Sequence, residues 1–331
     1  MRLRPRVAVE AIVWLQNIEG SSSVQHSDRR AVVIVSGGDA VSPFTTPTEA
    51  CTIGLAAGNT DTALREHLLG RGFRVFTSPA MNARGPVVEQ LEGFGPFGGM
   101  PFALPEHLTV NSTGDIDLAG EHLARFLTYL HTDYDVDTLD IVAHSMGGLF
   151  SRAAIRVLQL AGSPLRVRSL TTLGTPWQGS VVGDFTIGDV DLSAAVGDAF
   201  LERVLTEFQA RAASLPVGAA QQVTARYLTG DNGWNAFQAG MLDDIPVTLI
   251  GGSYFTAEGG AAKYWPHDGL VSESSALAVD VPAAVLPNRT TFTFPRTHSI
   301  FLSGAAGAEW NTAMTWDTEV LDVVADAMTG A

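Results

Sequence analysis

The strongest chemical signal in the sequence is a serine set between an apolar run and a pair of glycines. Leu139 to Leu149 reads LDIVAHSMGGL: Leu139, Ile141 and Val142 lead to Ala143, Ser145 follows, and Gly147 and Gly148 open a helical pattern. The spacing predicts a buried strand, a very tight turn and a helix start, with Ser145 at the tip, its backbone strained and its hydroxyl exposed. Small residues two before and two after the serine are needed because strand and helix pass close together there. The new helix N-terminus, beginning at Met146, aims backbone N–H groups at the same spot, where they can hold a developing oxyanion. A serine hydroxyl is a weak nucleophile alone, so it needs a base within reach and a carboxylate to orient that base.

Eight histidines are candidates for the base. His144 precedes the serine and cannot turn back to serve it. His67 and His122 fall on expected helices, His26 and His131 in polar turns, His107 in a long loop. His298 lies in PRTHS, just beyond the last expected strand, and is preferred. His267, beside Asp268, is the rival.

Four stretches, AHSMGG, GTPWQGS (Gly174 to Ser180), HDGLV (from His267) and the late THS ending at Ser299, resemble the α/β-hydrolase superfamily in its lipase/esterase branch. The resemblance implies an α/β fold, a mostly parallel central sheet with helices on both faces and an inserted helical cap or lid. It implies that Asp268 is the catalytic acid, with Glu273 and Asp244 as alternatives, and the chain order Ser145, Asp268, His298 is that of the superfamily. Each of the three follows an expected strand on the same sheet edge. By the same resemblance Gly38 N–H pairs with Met146 N–H as the oxyanion hole. Three departures stand out. Ala143 replaces the usual first glycine of the elbow, Ser36 stands where a histidine usually follows the first core strand, and Trp177 stands where a histidine usually follows the proline. Trp177 is expected as a wall of the substrate pocket.

Around these residues the chain must supply a scaffold. Ala31 to Val35 (AVVIV) reads as a central parallel strand, Asp61 to Leu69 as a helix, and Phe73 to Thr77 as the next strand. Asp115 to Leu130 is an amphipathic helix. Asp133, Asp135 and Asp137 behind it read as a solvated turn, because the glycine and distal glutamate of a calcium loop are missing. Val167 to Leu173, Pro246 to Ile250 and Thr291 to Phe294 continue the strands, and Val320 to Met328 marks a closing helix. Met81 to Gly114 has no periodicity and carries Phe94, Phe97, Met100 and Phe102; it either lines an acyl pocket or covers core. Val181 to Asp244, with a helix over Ala199 to Ala213, interrupts the rhythm as a cap, mobile or fixed. Residues 1–30 are expected as an N-terminal extension and 31–331 as a single domain.

Composition bounds the rest. The chain has 331 residues, 46% hydrophobic, enough for a large core. A net charge of −15 argues against nucleic acid or an anionic membrane as main partner. Cys51 is the single cysteine, which excludes an internal disulfide and a cysteine metal site. No stretch is long and apolar enough to span a bilayer. Arg2, Arg4 and Arg6 precede a short apolar run broken by Glu10 with no clear cleavage site, which favours a cytoplasmic location over export. The expected activity is hydrolysis of a small-molecule or lipid ester, with transient contact to a lipid surface and without cofactor or metal. A thioesterase or acyltransferase using the same residues, and a non-catalytic binding protein on the same fold, are the alternatives.

Overall fold

The structure is a computed structural model that describes residues 29–49, 60–87, 103–212, 219–256 and 261–330. Six parallel strands form its central sheet: β1 (Arg30–Val35), β2 (Val75–Thr77), β5 (Thr138–His144), β6 (Arg166–Leu173), β7 (Val247–Gly252) and β8 (Arg289–Phe294). Two short parallel strands, β3 (Ala80–Met81) and β4 (Val110–Asn111), clip together the ends of the long segment after β2. The helices in chain order are α1 (Thr62–Gly70), α2 (Ile116–Asp133), α3 (Gly147–Leu160), α4 (Val181–Thr186), α5 (Ala199–Ala212), α6 (Ala219–Gln222), α7 (Ala225–Leu228), α8 (Glu273–Ala276), α9 (Ile300–Ala305) and α10 (Thr318–Thr329).

The strand order is β2-β1-β5-β6-β7-β8. It runs outward in one direction from β1 to β2 and in the other from β5 to β8, so the order reverses between β1 and β5. Loops leaving these two neighbours diverge and leave a crevice beyond their carboxyl ends, where ligands bind in open α/β sheets. Gly37 and Gly38 follow β1, and Ser145 follows β5.

Both sheet faces are covered, which explains why β1 and β5 read as continuous apolar runs rather than alternating ones. Val33 and Val35 of β1, with Leu139 and Ile141 of β5, pack under α2 and α3 in the larger core. Val32 and Ile34 face the opposite way, onto Leu64 and Leu68 of α1 and Val320, Leu321 and Val324 of α10. A third cluster joins Val181, Val182 and Phe185 of α4 to Leu201, Val204 and Leu205 of α5. These cap helices thus bury an apolar face of their own. Asp135 and Asp137 form ion pairs with Arg29 at 3.1 and 2.7 Å in the turn before β5. Among the described residues no helix is long and apolar enough to cross a membrane.

Candidate active site

Ser145 has φ of 55°, a left-handed backbone that non-glycine residues rarely adopt. The surroundings enforce it. Ser145 N–H donates to Leu173 O at 2.8 Å, Gly148 N–H donates to Ser145 O at 3.1 Å, and Thr175 Oγ1 donates to the same carbonyl at 2.7 Å. Thr175 comes from GTPWQGS, so that segment fastens the turn from behind. A Cβ on Gly147 would fall 2.3 Å from Val35 O, and one on Gly37 would fall 2.5 Å from Ser145 Cβ. Helix α3 therefore starts in contact with the end of β1, and the loop after β1 touches the serine.

Asp268 and His298 come together although thirty positions apart. His298 Nδ1 lies 2.7 Å from Asp268 Oδ2, both side chains buried. Because a carboxylate accepts only, Nδ1 carries the proton and Nε2 is left as the basic nitrogen. Asp268 is held in turn: its Oδ1 accepts from Leu270 N–H at 2.9 Å and Val271 N–H at 2.8 Å, and its carbonyl accepts from His298 N–H at 2.8 Å. His298 and Ser145 line one cavity of about 440 Å³.

The rival base is engaged elsewhere. His267 Nδ1 accepts from Gly269 N–H at 3.0 Å, so Nε2 carries the proton and donates to Asp198 Oδ2 at 2.8 Å. Burial works to raise the Asp198 carboxyl, but the His267 bond and the Leu201 N–H outweigh it and hold it down at about 2. Asp198 precedes α5, and Phe200 of that helix stacks on Phe255, which stacks on His267. The loop bearing Asp268 is thereby tied to the start of the cap helix. Of the alternative acids, Glu273 accepts a hydrogen bond from Thr293 Oγ1 at 2.9 Å, and Asp244 is exposed in the turn before β7.

Gly38 sits beside Met146, the residue after Ser145: a Cβ there would lie 2.6 Å from Met146 Sδ. The cavity wall is apolar where Val204 and Phe208 of α5 meet Leu270, Phe301, Leu302 and Ala305. Phe94, Phe97 and Phe102, like Met100, lie outside the described residues. Trp177 is no part of this wall, which corrects the expectation from its place in the motif. It is fully buried in the larger core, its Nε1 donates to Thr172 Oγ1 at 3.3 Å, and the Arg152 guanidinium lies 4.2 Å from its ring. An indole is a large apolar body with one donor, and here both demands are met by core partners.

Sequence reasoning missed Asp61. It also lines the cavity, with Ser36 and Ser42. The sequence placed it at the start of a helix, which is correct, but gave no sign that its carboxylate turns to Ser36 Oγ, 2.5 Å away.

The reversed strand order, with the strained Ser145 after β5 and the Asp268–His298 pair after β7 and β8, is the arrangement of the α/β-hydrolase fold. Residues 102–203, which hold the elbow and the helix before it, match the family described as "Putative serine esterase (DUF676)". No match was found among curated proteins. Several solved structures are similar. The Bacillus licheniformis lipase BlEst2 in mature form is 14% identical, over 89% of this chain and 90% of that one, with a TM-score of 0.49. The carboxylesterase CesB (YbfK) from Bacillus subtilis is 11% identical, over 92% and 85%, with a TM-score of 0.45. The Pyrococcus furiosus esterase Pf2001 is 13% identical, over 92% and 82%, with a TM-score of 0.46.

Proposed function

We propose that the chain hydrolyses carboxylic esters with an apolar acyl group, through an acyl-enzyme on Ser145. The observation that carries this reading is the buried Asp268–His298 pair opening on the cavity that holds Ser145. His298 Nε2 takes the Ser145 proton as Oγ attacks the ester carbonyl. The Gly38 and Met146 N–H groups hold the tetrahedral oxyanion; neither is used in a backbone hydrogen bond among the described residues. His298 then protonates the leaving alcohol, and water releases the acid by the same steps. Asp268 keeps the imidazole in the working tautomer and stabilises the imidazolium. The apolar wall from α5 and α9 favours an alkyl chain.

The test is turnover of aryl esters of increasing acyl length, with fluorophosphonate labelling of the folded protein. Labelling at Ser145 and turnover lost about 10⁴- to 10⁶-fold in Ser145→Ala and His298→Ala are expected, with about 10⁴-fold in Asp268→Asn. Cleavage of thioesters alone would move the substrate class. A protein that neither labels nor turns over any acyl substrate would be a binding protein on this fold.

A further inference from the structure

Asp61 departs from what its position predicts. It is the N-cap residue of α1, yet its side chain caps no helix N–H. The carboxylate reaches instead to the end of β1, where Oδ2 accepts from Ser36 Oγ. Ser36 Oγ also lies 2.7 Å from Ser42 Oγ. A hydroxyl has one proton, so with Ser36 donating to Asp61, Ser42 donates to Ser36. The chain of bonds ends with Asp61 Oδ1, which has no hydrogen-bond partner among the described residues, although Asp61 is only 2% exposed. Burial pushes this carboxyl up to about 6, and the Ser36 bond offsets only part of the rise. An unpaired oxygen on a buried acid is costly, and a departure of this kind is expected at a functional site.

The group's position gives that partner a chemistry. Ser36, Ser42, Thr60 and Asp61 line the same cavity as Ser145 and His298. Gly37, next to Ser36, is in contact range of Ser145. The apolar wall accounts for an acyl chain, which leaves this polar corner for the alcohol side of the ester. Asp61 Oδ1 calls for a donor, and the neighbouring hydroxyls favour a neutral polar group.

We propose that Ser36 and Asp61 form a subsite for a hydroxyl on the alcohol part of the substrate, so that the enzyme prefers esters of polyols to esters of plain alkanols. This rests on the ester-hydrolase reading above. The substrate hydroxyl donates to Asp61 Oδ1 while Ser36 holds the carboxylate in place.

The experiment compares kcat/KM for 2-hydroxyethyl butyrate and ethyl butyrate in the unaltered protein, in Asp61→Leu and in Ser36→Ala, with active sites counted by fluorophosphonate labelling of Ser145. A hydrogen bond to a charged group corresponds to about a 10- to 100-fold preference for the hydroxylated ester. Both variants should bring the ratio close to 1. The ratio does not depend on how much protein folds, and Ser36→Ala carries the comparison if Asp61→Leu yields none. Equal rates on the two esters in the unaltered protein, or a preference that survives both substitutions, would overturn the subsite while labelling at Ser145 still upheld the hydrolase. Absence of labelling and of any ester turnover would overturn both.

Discussion

His144 donates its Nε2–H to the carbonyl of His298 at 2.8 Å, and the two rings lie 4.7 Å apart. The residue before Ser145 therefore fixes the loop of His298. A carbonyl only accepts, so His144 serves as a neutral donor. Burial, then the proximity of His298, pushes its pKa down to about 3. His144→Ala should lower kcat about fivefold, the value of one net hydrogen bond of about 1 kcal/mol, with KM little changed. His144→Gln, which keeps a donor, should recover part of the loss. Full activity in His144→Ala would show that the His298 loop holds itself.

Two buried groups give opposite pH dependences of stability. The His144 ring titrates near 3 in the fold and near 6.5 unfolded, so the unfolded chain binds more protons between those values. Its contribution is complete above about 6.5 and is lost as pH falls towards 3. Asp61 titrates near 6 in the fold against 3.8 unfolded, so its cost is absent below about 4 and complete above 6. Asp61→Asn should raise stability at pH 8 by on the order of 1–3 kcal/mol and leave it unchanged at pH 4. His144→Gln should flatten the fall in Tm between pH 7 and pH 4.5. Melting curves across this range read both effects, and parallel shifts at all pH values would contradict them.

Gly37→Ala places a methyl 2.5 Å from Ser145 Cβ and 3.1 Å from its Oγ. Displacing Ser145 by about 1 Å should cost on the order of 10²-fold in kcat/KM. The nearest atom is a Cβ fixed to the main chain and the His144 carbonyl oxygen lies 3.1 Å away, so the turn itself must shift and Tm should fall as well. Steady-state kinetics with thermal melts separate this from general unfolding.

The Asp198–His267 bond joins the start of α5 to the loop of Asp268. Asp198→Ala or His267→Phe should loosen the helix that provides Val204 and Phe208 to the cavity. KM for a long-chain ester should rise about tenfold, as expected for a lost bond to a charged group. Hydrogen exchange along α5 should accelerate in both variants. Unchanged exchange there would mean that the stacked Phe200 and Phe255 suffice to hold the helix.

How far the sequence discloses this site depends on the range over which each feature is encoded. The elbow is legible because its strand, turn and helix occupy eleven consecutive positions, and β1 and β5 because burial on both faces leaves unbroken apolar runs. The edges are less sharp. Phe73 was expected in β2, but its N–H donates to Leu68 O and completes the end of α1, so pairing begins at Val75. Helix α2 starts where Asp115 accepts from Leu118 N–H and runs one turn past the expected Leu130, to Asp133. Asp61 and Trp177 were illegible in a different way. Their partners, Ser36 and Arg152, are 25 positions away in each case and obey no helix or strand period. The motif around Trp177 says that the segment passes near the site, not which way the indole turns.

The two small residues that flank Ser145 record different clearances. Position 147 has none: a single added carbon would sit 2.3 Å from the carbonyl oxygen of Val35, which is backbone and cannot rotate away. Position 143 already carries a methyl, buried within a strand that pairs in unbroken register with β1 through Val35. The tolerance of the elbow is therefore lopsided. Its strand side accepts alanine because the side chain points into a packed core layer, while its helix side is pressed against the neighbouring main chain. A search for such elbows that weighted the glycine after the serine above the one before it would follow the shape of the turn more closely than the symmetric pattern does.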